Sequence, residues 1–359
     1  MTLQECYDYT PVTMSQQKFP GLIDIHVHLR DPGATHKEDF VTGSRAALAG
    51  GFTFVCDMPN NPTNPTVTLH RLEEKYHLAK KKALCDIGLY FGSTGENLDM
   101  FPEVYNRPYV YGLKIYCGHT TGELLLDDEK KLDAIFQAWN SDKPILLHAE
   151  GHMVEMGIAI ASTYKRRVHI CHIANRDDLE KIRAAKAKRM PISTGVTPHH
   201  LFLSASEGAK LGGYGLVKPP LADEDTQLAL WDGIKDKTID LVESDHAPHT
   251  REEKECSTPY FGVPGLETTL PLMLLAVKQG RCSLDDVARL LYDNPKRIFS
   301  LPDQPETYIE FDPDAPFRIG EEGYQSKSQW SPFDGWEAYG KVERVVLYGK
   351  PLVEKGVVL

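Results

Sequence analysis

The fold of this chain is decided by residues 21–30, which read Gly21-Leu22-Ile23-Asp24-Ile25-His26-Val27-His28-Leu29-Arg30. A short apolar run followed by alternation predicts one buried β-strand. Because side chains two residues apart in a strand point to the same side, His26 and His28 should project together near its C-terminal end. Two neutral imidazoles aimed at one point can chelate a divalent metal, and Arg30 would place a fixed cation beside them. The alternative is that both histidines are ordinary polar residues at a strand end, satisfied by hydrogen bonds.

The composition is ordinary for a globular protein. The chain has 359 residues, of which 41% are hydrophobic and 25% charged, and its formal net charge is −11. This acidic balance disfavours nucleic-acid binding. No apolar run approaches the ~18 residues of a membrane helix, and residues 1–20 lack the features of a secretory signal. The seven cysteines are scattered without a Cys-x-x-Cys pair, which favours reduced thiols and a cytoplasmic location.

Strand-like and helix-like segments alternate from residue 21 to about residue 244. The predicted strands lie at 22–29, 52–58, 86–91, 110–116, 144–148, 168–172, 191–196 and 239–244. Alternating βα units imply parallel strands, and eight of them predict an α/β fold, the (β/α)₈ or TIM barrel. Thr35 and Glu38 have the spacing of a capping box, which predicts that the first helix begins there and ends near Ala49.

The pattern changes after residue 250. Two helices are predicted at about 265–279 and 283–292, and the alternation in 342–359 predicts a β-hairpin outside the barrel. We therefore expect three parts: an N-terminal extension at 1–20, to which no strand is assigned, a barrel at 21–300, and a linker with a small β extension at 301–359.

Polar side chains recur at the predicted C-terminal ends of five strands, where the active sites of (β/α)₈ enzymes lie. They are His26, His28, Lys114, His148, His172 and Asp245. Zinc and similar metals accept imidazole and carboxylate ligands. A lysine ammonium cannot bind a metal, but a lysine whose pKa is lowered by burial and nearby cations can react with CO₂, and the carbamate could bridge two metals. Each residue also has an ordinary alternative: His148 as a buried hydrogen-bonded histidine, Lys114 as a strand-end residue reaching solvent, and Asp245 as a helix cap.

Longer motifs make the chain resemble the amidohydrolase superfamily and, within it, the dihydroorotases, in particular the dihydroorotase domain of the animal multifunctional pyrimidine-synthesis protein. The similarity covers nearly the whole chain from Pro20 onward, with order and spacing kept. The matching pieces are residues 21–30, Thr-His-Lys-Glu-Asp-Phe at 35–40, Met-Pro-Asn at 58–60, Gly-Leu-Lys-Ile-Tyr at 112–116, His-Ala-Glu at 148–150, Val-His-Ile-Cys-His at 168–172, Pro-His-His-Leu-Phe-Leu at 198–203, Ser-Asp-His-Ala-Pro-His-Thr at 244–250 and Pro-Gly-Leu-Glu-Thr at 264–268.

This resemblance implies a site with two zinc ions per chain. His26, His28 and Asp245 would hold one zinc, His148 and His172 the other, and Lys114 would bridge them as N6-carboxylysine. Asp245 would also be the catalytic proton carrier. The implied substrate-binding residues are Arg30, Asn60, His249, Lys218, Thr120, Pro264 and Gly265. The implied reaction is the reversible closure of N-carbamoyl-L-aspartate to L-dihydroorotate and water, a step of pyrimidine biosynthesis, and Arg30 suits a substrate carboxylate.

Three positions depart from the animal pattern. Lys218 stands where the animal domain has an arginine, so the charge is kept and the bidentate geometry is lost. Thr121 replaces an aromatic residue in a mobile loop that keeps Thr120. Gly195 replaces a glutamate associated with an additional zinc, which puts that extra site in doubt, although Cys171 remains. The N-terminal part is also expected to be too short to supply much of an outer β domain.

Two other functions remain open at this point. An allantoinase or hydantoinase would share the metal site, but its substrate lacks the carboxylate that Arg30 fits. An inactive barrel could instead be a scaffold for aspartate transcarbamoylase, although such a domain has no reason to keep all the ligands. The expected partners are a small-molecule substrate, a second copy in a homodimer and aspartate transcarbamoylase, with no nucleic acid and no membrane.

Overall fold

The computed structural model describes residues 16–118 and 124–359, and it contains the predicted barrel. The first strand, β1 (Gln17–Pro20), lies outside the barrel. Eight parallel strands then follow one another in chain order. They are β2 (Leu22–Val27), β3 (Phe52–Asp57), β4 (Asp86–Gly92), β5 (Val110–Tyr116), β6 (Ile145–His148), β7 (Val168–Ile170), β8 (Ile192–Val196) and β9 (Leu241–Val242). The barrel closes between its first and last strands, because Val27 and His246 form a parallel bridge and the His28 N–H donates to the His246 carbonyl at 2.8 Å. The (β/α)₈ prediction is confirmed.

Helices surround the strands, and their buried residues pack against them. They are α1 (Phe40–Ala49), α2 (Leu69–Lys82), α3 (Phe101–Tyr105), α4 (Glu129–Ala138), α5 (His152–Tyr164), α6 (Arg176–Ala187), α7 (Pro198–Phe202), α8 (Ala205–Lys210), α9 (Glu224–Lys235), α10 (Arg251–Glu255), α11 (Thr269–Lys278), α12 (Leu284–Ala288) and α13 (Asn294–Phe299). Short 3₁₀ turns at Leu98–Met100 and Gly212–Gly215 and a π-helical turn at Arg289–Asp293 complete the helical structure. Within the described ranges, none of these helices combines the length and the apolar character that crossing a membrane requires.

Burial on both faces explains why the barrel strands read as apolar runs. Every residue of β2 and β3 is buried, as expected for parallel strands covered by helices. The main cluster joins strand residues to helix residues such as Leu72, Leu132 and Leu179, none of which is exposed. Burying one such side chain contributes ~1.5–3 kcal/mol. The rigid wall that results holds the polar strand ends in place.

The first helix begins later than the sequence predicts. Its N-cap is Asp39, whose carboxylate accepts hydrogen bonds from the Val41 and Thr42 backbone N–H groups, and Thr42 completes the capping box. The predicted cap at Thr35 with Glu38 is therefore wrong. The reason is tertiary: the Glu38 carboxylate is fully buried and accepts a hydrogen bond from Ser326, so it is used for a distant contact instead of a cap.

An antiparallel sheet lies outside the barrel. Besides β1 it contains β10 (Tyr308–Phe311), β13 (Val342–Leu347), β14 (Lys350–Glu354) and β15 (Val357–Val358), in the order β1-β10-β13-β14-β15, while β11 (Pro316–Arg318) and β12 (Glu337–Tyr339) pair separately. The predicted hairpin corresponds to the pair of β13 and β14 and is confirmed.

Two details of this sheet differ from the expectation. Residues 17–20 form an edge strand against β10, although no strand was expected there, and the ring of Phe19 packs on Phe311 at 5.1 Å between centroids. The segment expected to be a linker also holds β10 and β11. Such pairings join residues that are distant along the chain, so local alternation cannot reveal them. The division of the chain at residues 20 and 300 stays a prediction.

Candidate metal centre and substrate pocket

A polar pocket opens at the C-terminal ends of the barrel strands. It is lined by His26, His28, Arg30, Asn60, Tyr116, His148, His172, Lys218, Asp245, Ala247, Phe261 and Gly262. Most of the predicted site residues therefore meet in one place. Three of them, Arg30, His172 and Asp245, have φ values of 63°, 34° and 46°, which lie in the left-handed region. Non-glycine residues are uncommon there, and the sharp turns direct these side chains into the pocket just after their strands end.

His26, His28 and Asp245 form a compact set of ligand atoms. Asp245 Oδ1 lies 3.0 Å from His28 Nε2 and 3.4 Å from His26 Nε2. Each histidine meets an acceptor with its other nitrogen: His26 Nδ1 lies 2.9 Å from Glu243 Oε2, and His28 Nδ1 lies 2.8 Å from Asn60 Oδ1. Those contacts place the ring protons on Nδ1, so two Nε2 lone pairs and a carboxylate oxygen converge. Three acceptors that face one another fit a bound cation.

His148 and His172 form the second histidine pair. Their Nδ1 and Nε2 atoms are 2.9 Å apart, and both side chains are almost fully buried. Burial is the main cause that lowers the pKa of His148 and of His172 well below the usual value, and the Lys114 ammonium adds to the effect. Both rings are therefore neutral near pH 7, which is the state in which imidazole binds a metal.

The same two causes act on the first pair. Burial, followed by the charge of Lys114, lowers the pKa of His26, and burial, Arg30 and Lys114 lower that of His28. Burial raises the pKa of Asp245, against the opposing influence of His26. A carboxyl group with a raised pKa holds a proton more readily than an ordinary surface carboxylate, which suits it to accept and return one.

Lys114 lies among these groups with no exposed surface. Its Nζ donates to Cys171 Sγ at 3.0 Å, and across the described parts of the chain no carboxylate forms an ion pair with it. A buried unpaired charge is costly. Conversion of the ammonium to a carbamate would remove that charge and supply two oxygen ligands, so the surroundings of Lys114 fit a carboxylated lysine.

Two cations, Arg30 and Lys218, also line the pocket. Arg30 is 3% exposed and its Nε has no hydrogen-bond partner among the described residues. The half-buried Lys218 places its Nζ 4.5 Å from the centre of the Phe261 ring. Within the described residues neither cation forms an ion pair with a carboxylate. The pocket therefore offers two positive groups to an anionic substrate.

Three of the remaining predicted substrate residues, His249, Pro264 and Gly265, do not line the pocket. His249 is buried against Arg30, with 3.4 Å between its Nε2 and the guanidinium, and burial followed by the charge of Arg30 lowers the pKa of its ring. Pro264 and Gly265 are buried beside the barrel, where the Gly265 N–H donates to His246 Nδ1 at 3.2 Å. Thr120, with its neighbour Thr121, lies outside the described residues. The roles of these residues stay predictions.

Two contributors were missed by the sequence reasoning. Tyr116 lines the pocket, is 1% exposed, and its hydroxyl has no partner among the described residues. Glu243 is fully buried and contacts His26, and it groups with His26 and Cys171 as a second set of possible ligand atoms within 4.8 Å. Each stands two positions from a predicted site residue, Lys114 or Asp245. The two-residue period that linked His26 to His28 applied to both, and it would have found them.

Comparison with known proteins agrees with this geometry. The profile of the amidohydrolase family matches residues 18–304. The chain belongs to the amidohydrolase family. It is 44% identical to the multifunctional protein CAD of Squalus acanthias. The match covers 95% of this chain but only 15% of that protein. It is 35% identical to the dihydroorotase of Pyrococcus furiosus, covering 94% of this chain and 81% of that enzyme. The family expected from the sequence is confirmed.

Two solved structures of this amidohydrolase fold are also similar. The L-hydantoinase (dihydropyrimidinase) from Arthrobacter aurescens superposes with a TM-score of 0.91 at 24% identity, covering 96% of this chain and 87% of that one. The inactive dihydroorotase-like domain of a CAD-like multifunctional protein from Chaetomium thermophilum gives a TM-score of 0.81 at 26% identity, covering 96% of both chains. The first likeness shows the fold alone, so the functional conclusion depends on the residues of the pocket.

Proposed function

We propose that this chain is a dihydroorotase, which closes N-carbamoyl-L-aspartate to L-dihydroorotate with release of water and also catalyses the reverse reaction. One observation carries the proposal: two cations without carboxylate partners among the described residues, Arg30 and Lys218, line the same pocket as four histidines and Asp245. A cyclic amide that bears a carboxylate, as dihydroorotate does, matches both the candidate metal ligands and the two cations. The relatives named dihydroorotase support the same activity.

The donor set fits two divalent metals, and we propose zinc. His26, His28 and Asp245 would hold one ion, His148 and His172 the other, and Lys114 in its carboxylated form would bridge them. Imidazole and carboxylate are ligands that zinc accepts. When bound, such metals polarise an amide carbonyl and lower the pKa of water to ~7. This assignment accounts for the neutral histidines, for the converging acceptors around Asp245 and for the charge of Lys114, which has no carboxylate partner among the described residues.

The protein side chains orient the substrate and move a proton. Arg30 presents planar N–H donors to the substrate carboxylate, and Lys218 adds a second positive charge. In the ring-opening direction the amide C–N bond breaks, and the nitrogen must gain the proton that water loses. Asp245 can accept this proton at its carboxylate and return it to the nitrogen, because Oδ1 faces the histidines and burial raises its pKa. In ring closure the same steps run backwards.

An assay in both directions tests the proposal. The full chain, prepared without chelator, should bring dihydroorotate and carbamoyl aspartate to the same equilibrium from either side, and elemental analysis should approach two zinc ions per chain. Hydantoin and dihydrouracil, which have the cyclic amide but no carboxylate, should react at least tenfold more slowly. Rates on these substrates equal to the rate on dihydroorotate would indicate a hydantoinase instead. Absence of turnover in a metal-loaded chain would instead place it with the inactive domains.

We also propose the compartment in which the chain acts and the proteins with which it associates. The six cysteines among the described residues are unpaired, which agrees with a reducing compartment such as the cytoplasm. We propose a homodimer. We also propose an association with aspartate transcarbamoylase, because the chain matches part of a multifunctional relative. Light scattering with and without added aspartate transcarbamoylase tests both, and a monomer that binds nothing would contradict them.

A further inference from the structure

Glu243 is a fully buried carboxylate to which the proposed reaction gives no task. It follows β9 and precedes Asp245 by two residues. Its Oε2 lies 2.9 Å from His26 Nδ1, while its Oε1 accepts the backbone N–H of His172 and lies 3.7 Å from His169 Nε2. One side chain therefore joins candidate ligands that come from β2 and from the end of β7.

The contact with His26 decides which ring nitrogen carries the proton. A carboxylate only accepts hydrogen bonds, so the nitrogen facing it must be the N–H. That leaves the lone pair on Nε2, the atom that lies 3.4 Å from Asp245 Oδ1. A carboxylate behind a histidine ligand generally fixes both the tautomer and the ring orientation.

Gly195 in β8 provides the space that this arrangement needs. A Cβ atom at position 195 would lie 2.3 Å from Glu243 Oε1 and 2.7 Å from its Cδ, far inside van der Waals contact. The φ of Gly195 is not among the positive ones, so backbone conformation does not require glycine here. The carboxylate of Glu243 thus occupies the volume that any side chain at position 195 would take.

We propose that Glu243 is a positioning residue that holds His26 as its Nδ1–H tautomer, and that Gly195 is the glycine that makes room for it. The expected effect on zinc binding rests on the proposed metal centre, whereas the tautomer follows from the contact between Glu243 and His26. Loss of such a partner typically weakens metal binding 10- to 100-fold, and that is the effect expected here.

The first test needs no substitution. Long-range ¹⁵N–¹H spectra of the metal-free full chain, with the His26 signals assigned by comparison with a His26→Gln variant, report which ring nitrogen is protonated. We expect the Nδ1–H form. The Nε2–H form in this protein would overturn the proposal.

Two independent variants provide the second test. Glu243→Gln replaces one of two acceptor oxygens by a donor, so it cannot accept from both His26 and the His172 N–H. Gly195→Ala keeps the carboxylate and displaces it. Each should weaken zinc binding 10- to 100-fold in competition with a chelator and should populate the other His26 tautomer.

Matched controls separate this role from simple disturbance of the core. Glu267→Gln alters a half-buried carboxylate that accepts backbone N–H groups from Gln325 and Ser326 and does not line the pocket. Gly233→Ala adds a Cβ that meets only flexible side-chain tips, 3.0 Å from Ile239 Cδ1. Both should keep zinc affinity within about twofold. Unchanged affinity and tautomer in Glu243→Gln and Gly195→Ala would overturn the proposal.

The alternative role for Glu243 is that of a metal ligand. His26, Cys171 and Glu243 offer atoms within 4.8 Å of one another. A third zinc per chain that is lost in both Cys171→Ser and Glu243→Gln would make Glu243 a ligand and overturn its positioning role. Because tautomer and affinity are measured without substrate, failure of dihydroorotate turnover would refute the proposed function and leave this inference standing.

Discussion

Replacing Arg30 by alanine should reduce kcat/KM for dihydroorotate by about 10- to 150-fold. The guanidinium is 3% exposed, lines the pocket and has an unpartnered Nε among the described residues, so it is held ready for an anion. A hydrogen bond to a charged group contributes ~1.5–3 kcal/mol, and ~1.36 kcal/mol corresponds to a factor of ten in rate. One lost charged contact gives the stated range, and a lost bidentate pair would exceed it.

The assay compares dihydroorotate with dihydrouracil, which has the ring but no carboxylate. Arg30→Ala should leave the slow rate on dihydrouracil within about threefold and should leave zinc content unchanged, because arginine is not a proposed ligand. Arg30→Lys keeps the charge and loses the fork, so it should fall between the wild type and alanine. Thermal unfolding of each variant controls for the loss of a buried side chain. If Arg30→Ala slows both substrates equally with a folded, zinc-loaded protein, the carboxylate argument is refuted.

Three further changes test other parts of the structure. Lys114→Ala should abolish turnover and reduce bound zinc, with partial recovery on adding a short carboxylic acid; wild-type activity would show that no carbamate is needed. Tyr116→Phe removes a buried pocket hydroxyl that has no hydrogen-bond partner among the described residues. A neutral hydrogen bond contributes ~0.5–1.5 kcal/mol, and ~1.36 kcal/mol is tenfold in rate, so kcat/KM should fall by about 2- to 13-fold. No change would show that the ring serves packing alone. Burial raises the pKa of Glu267 to about 7 from 4.5, so the stability contributed by its protonated form is complete below pH 4.5 and is lost as pH rises through 7. In urea unfolding between pH 5 and 8, the free energy of unfolding of Glu267→Gln should therefore fall less than that of the wild type. Parallel plots of this free energy against pH would contradict the prediction.

Local pattern was enough to predict the barrel and the proposed ligands. The period of two in residues 21–30 placed His26 and His28 on one side, and the alternation of apolar strands with helices implied the parallel order that the structure shows. In a parallel barrel all strands end at the same face, so His148, His172 and Asp245 had to approach His26 whatever the details of packing. The motifs then added the family. Metal binding by these residues stays a prediction.

Tertiary structure alone decided how those side chains are held. Glu38 has the spacing of a helix cap, yet it is drawn into a contact with Ser326, so Asp39 caps the helix instead. β1 exists because it pairs with β10, which lies almost 300 residues further along the chain. Gly195 and Glu243 are also far apart in sequence. Only the folded barrel shows that the Glu243 side chain fills the space that a side chain at position 195 would occupy. The physical reason is common to these cases. Periodicity in the sequence indicates which face of a strand or helix is buried. The residues that pair with a buried charge, or that fill the space beside a small residue, come from distant parts of the chain that only folding brings together.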